Sequence, residues 1–284
     1  MALEVFLMVL GAAFVHATWN ALVKGDLDKL AVIKFMSGTQ ICVSLCLIPY
    51  VAIPASDCWP FLLAGSALST GYMLMLSRAY QWGDLSLVYP FARGVVPLVV
   101  AVVSVAALGE TLTRANQIAI VLIGVGIASL ALTHRPMRLP HWRALAFAFA
   151  TGAFIAAYTI VDGLGARLAG SAHGYMAWLS LMTSLAIVAC AHWLQGEQRH
   201  PVSRHTLHVG IAAGLMSYAS SWIVIWALTL APLALVSALR ETGVVFAVAI
   251  GVVIFHEQLS VPRLASIAAT LAGTTVLKLG RWWA

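Results

Sequence analysis

Apolar runs long enough to cross a membrane follow one another along this chain, separated by short clusters of Pro, Gly, Asp, Lys or Arg. A helix needs about 20 predominantly apolar residues to traverse hydrocarbon. Ten stretches meet that need, at roughly 3–23, 30–53, 59–80, 85–108, 113–133, 141–162, 171–194, 206–229, 232–255 and 261–280. They are too long and too poor in alternation for barrel strands, and in lipid a helix satisfies its own backbone. The pattern predicts an all-α integral membrane protein with ten transmembrane helices. The longest connection, from Gln195 to His205, leaves no room for an ATPase, an extramembrane enzyme or a nucleic-acid module.

One run of residues occurs twice. The first copy reads Leu85-Ser-Leu-Val-Tyr89-Pro-Phe-Ala-Arg93-Gly-Val-Val-Pro97 and closes on Leu-Gly-Glu110-Thr-Leu-Thr113. The second reads Leu233-Ala-Leu-Val-Ser-Ala-Leu-Arg240-Glu241-Thr-Gly-Val-Val and closes on Phe-His-Glu257-Gln-Leu-Ser260. The interval from arginine to closing glutamate is the same in both. Residues 1–133 and 141–280 each hold five of the predicted helices, joined by His134-Arg-Pro-Met-Arg-Leu-Pro140. An odd number of spans brings the second unit into the membrane from the opposite side. The two units are therefore expected to be inverted repeats about an axis in the membrane plane.

Composition sharpens this. Hydrophobic residues make up 62% of the chain and charged ones 9%, against about 25% charged in soluble domains, so a soluble fold is excluded. Glu4 stands where a signal peptide would carry basic residues, which predicts that the first helix is retained. Cys42, Cys46, Cys58 and Cys190 read as packing residues rather than a disulfide framework. The net charge of +6 reflects loop cations facing anionic lipid, not nucleic acid.

Of the sixteen cations, Lys24, Lys29, Lys34, Arg78, Arg135, Arg138, Arg143, Arg199, Arg204 and Arg263 fall on one side. Arg114, Arg167, Lys278 and Arg281 fall on the other, with both termini, and Arg93 and Arg240 lie within the membrane. The positive-inside rule then places the termini outside the cytoplasm. Trp282 and Trp283 read as an interfacial anchor.

The candidate chemistry starts from the two buried arginines. Arg93 lies about 12 Å into its helix at 1.5 Å per residue, and arginine at the bilayer centre costs at least about 2.5–3.5 kcal/mol. It must face a partner or a wet cavity, unless it snorkels to the surface or bonds to carbonyls. Pro97 loosens the helix carrying it. Arg240 and Glu241 are adjacent, so they point about 100° apart and need not pair with each other. Glu241 is free to meet Arg93 across the axis, to carry protons, or to join an ion-pair network that only holds the halves together.

His16, Trp19 and Asn20, at i, i+3 and i+4, share one face of the first helix. That stripe is expected to line a substrate path; the alternative is hydrogen bonding between helices with no ligand. Tyr72, Tyr80, Tyr89, Tyr158, Tyr218 and Trp222 are further candidates for the lining. Asp162 reads as a cap at the end of the sixth helix. Glu110 and Glu257 each precede a hydroxyl residue (Thr113, Ser260) that reads as the N-cap of the next helix, with the glutamate near the free amides of that turn. Gly210-x-x-x-Gly214 marks close helix packing. Enzyme templates fail: the chain has no Gly-rich phosphate loop ending in Lys-Ser/Thr, no Cys-x-x-Cys and no His-Glu-x-x-His. His200, His205 and His208 lack the cysteine or acidic neighbours of a metal site.

The five-plus-five helices, the repeats ending in Gly-Glu110 and His-Glu257, and Pro97 ahead of Glu110 together resemble the EamA group of the drug/metabolite transporter superfamily, across nearly the whole chain. The layout is similar to that of YddG-type amino-acid exporters. The resemblance implies a ten-helix basket with a central cavity, exporting small metabolites across the cytoplasmic membrane of a bacterium, with no cofactor and no obligate protein partner. Two departures stand out. Val244 replaces the proline usual in the ninth helix, which implies a straighter helix there. Members of the group are described with cytoplasmic termini, against the cation count.

The expected function is a secondary transporter for a small polar metabolite, most plausibly an amino acid. Arg93 and Arg240 would attract its carboxylate, and the aromatic residues would shape the pocket. The alternatives are a lipid-linked substrate flippase or lipid-modifying membrane protein, and a non-transporting scaffold or sensor.

Overall fold

A computed structural model describes residues 1–26, 28–82, 85–132, 142–195 and 203–279. The expected linker 134–140, the segment 196–202 and the Arg281, Trp282 and Trp283 anchor lie outside them. Eleven α-helices run through the described residues: α1 Leu3–Gly25, α2 Lys29–Leu47, α3 Trp59–Trp82, α4 Leu85–Ala106, α5 Arg114–Ser129, α6 Trp142–Leu168, α7 Ala172–Gln195, α8 Arg204–Leu230, α9 Leu233–Glu241, α10 Gly243–Phe255 and α11 Val261–Leu279. No strand occurs among them. Seven segments are long and apolar enough to cross a bilayer: Leu3–Gly25, Ala31–Tyr50, Val88–Ala106, Trp142–Leu168, Ala172–His192, Arg204–Leu230 and Leu233–Ile254. That is the character of a multi-pass membrane protein. Large apolar side chains such as Leu7, Phe14, Val102, Val121, Leu215 and Val253 point outward, which only a lipid surround makes favourable.

Where helices start, short polar side chains take up free amides. Asp28 accepts from the Ala31 amide at 3.0 Å, Thr113 from Asn116 at 3.3 Å and Ser203 from Thr206 at 3.0 Å. Thr113 is thus the N-cap that the chain pattern predicts. Two helices end in the same turn. After α4, Gly109 adopts φ 67° and the Glu110 amide reaches back to the Ser104 carbonyl at 2.9 Å. After α10, His256 adopts φ 52° and the Glu257 amide reaches back to Gly251 at 3.1 Å. A left-handed residue followed by a six-residue return bond closes a helix by satisfying its last carbonyls.

Helix α1 packs on α8, α9 and α10; α6 packs on α3 and α4; and α2 meets α7 and α8. Helix α4 also packs on α9, and α5 packs along α11. Small residues allow these approaches. A methyl group on Gly126 would lie 2.7 Å from Thr270 Oγ1, and one on Gly273 would lie 2.8 Å from the Ala119 carbonyl oxygen. Gly210 and Gly214 both face α2, against Phe35 and Thr39, so their spacing serves packing.

Two features differ from expectation. The helix expected at 232–255 is interrupted at Thr242, between α9 and α10, while α4 runs unbroken through Pro90 and Pro97. The interruption is a single residue in helical backbone within one apolar span, Leu233–Ile254, and sets no bend angle against the straighter ninth helix that Val244 implies. The break has a local cause: the Thr242 hydroxyl donates to the Leu239 carbonyl at 2.6 Å and its amide to the same carbonyl at 3.2 Å. This tightens the turn, and Gly243 follows, pressed against the Ala13 carbonyl of α1. Second, α6 continues to Leu168, so Asp162 lies inside the helix and caps nothing.

Candidate functional site

Helix α4 brings Tyr89 and Arg93 to one face by their i, i+4 spacing, and α9 ends on Arg240 and Glu241. Where these helices meet, Arg93 Nη1 donates to Glu241 Oε1 at 3.1 Å and Oε2 at 3.0 Å. Both side chains are buried, with relative exposures of 8% and 1%. The second guanidinium nitrogen, Nη2, stands 2.8 Å from His16 Nε2 on α1. Arginine has no acceptor atom, so Nε2 receives this bond and the ring proton sits on Nδ1. The Tyr89 ring lies under the guanidinium at 5.3 Å. Glu241 thus meets Arg93, the first of the pairings read for it.

The stripe on α1 adjoins this pair. Trp19 meets His16 edge to face at 5.0 Å, and its Nε1 is buried without a hydrogen-bond partner among the described residues. The Asn20 amide donates to the His16 carbonyl of its own helix at 2.7 Å. Tyr72 of α3 and Tyr158 of α6 pack at 6.2 Å, and the Tyr72 hydroxyl is within electrostatic reach of Arg93, Arg240, Tyr89 and Tyr158. Arg240 is half-buried. It acts electrostatically on His16, Tyr72 and Asp162, and no ion pair or hydrogen bond engages it among the described residues.

Nine of the expected site residues thus come together: His16, Trp19, Asn20, Tyr72, Tyr89, Arg93, Tyr158, Arg240 and Glu241. No hydrogen bond, ion pair or ring contact joins the other two to them among the described residues. Tyr218 is buried in the apolar core against which Tyr72, Tyr89 and Tyr158 also pack. Trp222 is exposed and donates its Nε1 to His173 Nδ1 of α7 at 2.8 Å. Their place on α8 turns them to other neighbours. The Tyr80 side chain lies outside the described residues.

Asp162 is the residue that sequence reasoning misplaced. It is buried, accepts from the Tyr175 hydroxyl at 3.3 Å, and its carboxylate fills the space beside Gly65. The available signal was a carboxylate in an apolar run that continues past it to Leu168.

The two closing glutamates also do more than flank caps. Glu110 Oε1 accepts from the Leu233 amide at the start of α9 at 2.9 Å and from Arg167 Nη2 at 3.3 Å. Arg167 further donates to the carbonyls of Leu228 and Ala231, each at 2.9 Å. Glu257 Oε1 accepts from Lys24 Nζ at 2.8 Å, and its Oε2 from Arg263 Nη2 at 2.8 Å. Lys24 first, then Arg263, holds the Glu257 carboxyl below the ordinary glutamate range. Each glutamate therefore ties its loop to a cation near the end of α1 or α6.

No protein-family model and no curated protein matches this chain. Among solved structures 29 chains match. One, described only as "Crystal structure of protein", aligns over 98% of this chain and 98% of its own length, with a TM-score of 0.78 at 16% sequence identity. A likeness at that identity carries the fold alone, and it extends over the whole helical bundle.

Proposed function

We propose that this chain is a secondary transporter that exports small metabolites, with amino acids as its substrate class, across the cytoplasmic membrane by alternating access. On this reading it crosses the bilayer ten times, with α9 and α10 forming one broken span. Residues 1–133 and 141–280 are then inverted repeats around a central cavity.

The observation that carries the proposal is the buried Arg93–Glu241 pair, which joins the first half to the second. Charges inside a membrane are costly and mark substrate or ion paths. A helix broken beside such charges is a common feature of transporter binding sites.

Reciprocal contacts support the repeat. Gly126 faces Ser266 and Thr270, while Gly273 faces Ala119 and Ile123, and these residues correspond one to one at the interval that separates Arg93 from Arg240. A contact in which i meets j and j's counterpart meets i's is the signature of two-fold symmetry. The end contacts also join the halves, although Lys24 and Arg167 are not counterparts at that interval: Glu110 of the first half holds Arg167 of the second, and Glu257 of the second holds Lys24 of the first. Lys24 and Arg263 belong to the cation-rich side and Arg167 to the other. The ion pairs therefore act as latches at opposite mouths, one yielding while the other holds.

The test is transport by the full chain in proteoliposomes, using the twenty radiolabelled amino acids singly. The expected result is counterflow of at least one, lost in Arg93→Ala. If the folded wild-type protein moves none, the amino-acid reading fails; movement of a lipid-linked sugar instead would replace it with the flippase reading.

A further inference from the structure

We propose that Arg240, and not Arg93, takes the anionic group of the cargo, and that this group is a single carboxylate. The inference rests on the transporter reading above and narrows it to one contact.

The reasoning begins with what Arg93 already holds. One of its terminal nitrogens faces both oxygens of Glu241, the other meets His16 Nε2, and Tyr89 covers the guanidinium. Its charge is neutralised by a carboxylate that is itself almost fully buried. A cargo carboxylate reaching Arg93 would have to expel Glu241 and leave that charge buried without a partner, a strongly unfavourable exchange. Arg93 therefore serves as a strut between α4, α9 and α1.

Arg240 is different in each respect. It projects from α9 about 100° around from Glu241, so it does not share the Arg93 pair. Five N–H donors stand on its guanidinium, and among the described residues none is taken up by an ion pair or hydrogen bond. It keeps partial exposure. Helix α9 packs on α1, α4 and α6, and His16, Tyr72 and Asp162 lie within electrostatic range of the Arg240 charge. Asp162 is already engaged by Tyr175. A guanidinium inside a membrane protein calls for an anion, and here the anion left to supply it is the cargo's.

The unused donors set the class. Arg93 and Glu241 satisfy each other, no ion pair joins Arg240 to Asp162 among the described residues, and the Arg240 guanidinium keeps room for one carboxylate. The planar guanidinium fits a carboxylate through two parallel hydrogen bonds. The buried, unpartnered Trp19 Nε1 beside His16 offers a further donor, and Trp19, Tyr72 and Tyr158 supply aromatic surface for the rest of an amino acid.

The experiment measures binding to the purified full chain by thermal shift and calorimetry. The probes are the twenty L-amino acids, the amides of those that bind, and benzoate as a monocarboxylate without an amine. In wild type, the acids that bind should exceed their amides by at least tenfold in affinity. Arg240→Gln should reduce that preference to near unity, and Arg240→Lys should keep part of it. In the doubly neutralised variant R93Q/E241Q the acid-over-amide preference should persist, whatever happens to affinity itself. Each variant is first checked by size-exclusion elution and melting; if R240Q fails to fold, a smaller acid preference in R240K than in R93Q/E241Q supports the anchor, and an equal or larger one overturns it. Amides binding as tightly as acids would overturn the carboxylate. An acid preference kept in R240Q but lost in R93Q/E241Q would move the anchor to Arg93. In both cases the transporter reading stands, whereas a wild-type protein that binds no carboxylate probe would remove both.

Discussion

Arg93 and Glu241 form one bidentate contact, with a single guanidinium nitrogen 3.0 and 3.1 Å from the two carboxylate oxygens. Helix α4 carries no carboxylate within a turn of Arg93, and Arg240, beside Glu241 on α9, points about 100° away from it. The contact therefore couples α4 to α9 directly, and through His16 it couples both to α1.

Removing one member alone leaves an uncompensated charge inside the bundle. Arg93→Met or Glu241→Leu should each destabilise the protein by about 3–5 kcal/mol, while the double variant should regain most of that loss. Reversible unfolding of all four proteins in one detergent gives the coupling directly. Additive losses would show that the two charges do not stabilise each other.

The Glu257 latch responds to pH in a direction fixed by its neighbours. Lys24 and Arg263 depress its folded-state pKa below the unfolded value near 4.5. Its contribution is therefore complete above that range and is lost as pH falls through the lower folded value. Because Lys24 is about half exposed, the effect is small, about 0.2–1 kcal/mol. The stability difference between wild type and Glu257→Gln should shrink below pH 4.5 and in high salt. A difference that instead grows on acidification would contradict the latch.

The α5–α11 seam predicts paired sensitivity. A side chain at Gly126 meets Thr270, and one at Gly273 meets the Ala119 backbone. Gly126→Val and Gly273→Val should each cost about 1–3 kcal/mol by overpacking. Gly38→Val, at a position inside α2 with open space around the added carbon, should be neutral or slightly stabilising, because valine has the higher helix propensity. Melting temperatures of the three variants check this, and equal losses at all three positions would argue against a tight seam.

Much of this architecture was legible in the chain. Apolar runs bounded by polar clusters mark the helices to within a few residues, because lipid leaves a helix as the way to satisfy backbone groups. Three residues of the duplicated motif, Arg93, Glu110 and Glu257, do reach partners in the other half, whereas Arg240 has no ion pair or hydrogen bond among the described residues. Three things escaped. The break at Thr242 depends on a hydroxyl turning back to Leu239 and on Ala13 of another helix pressing on Gly243. Periodicity carries neither. Asp162 looked like a terminator because Asp and Gly163 together resemble a helix end, yet Tyr175 from α7 supplies the hydrogen bond that keeps it inside. Arg167 and Leu233, which meet Glu110, and Lys24, which meets Glu257, lie far off in the chain, so local spacing suggested only caps. Tyr218 and Trp222 share a helix with no other site residue, and nothing local shows which way they turn.

Gly109 and His256 occupy the same left-handed position in the two helix-closing turns, at φ 67° and 52°. Glycine accepts this backbone freely, whereas a residue with a Cβ pays about 1–2 kcal/mol there. The two turns should therefore answer oppositely to substitution. Gly109→Ala should destabilise the protein by about 1 kcal/mol or more, since no added contact awaits the methyl group. His256→Gly should stabilise it by up to about 1 kcal/mol, reduced by glycine's greater freedom in the unfolded chain. Both can be read as shifts in the unfolding midpoint. A stabilising G109A or a strongly destabilising H256G would mean that contacts of these side chains, rather than the left-handed backbone, determine how the two loops close.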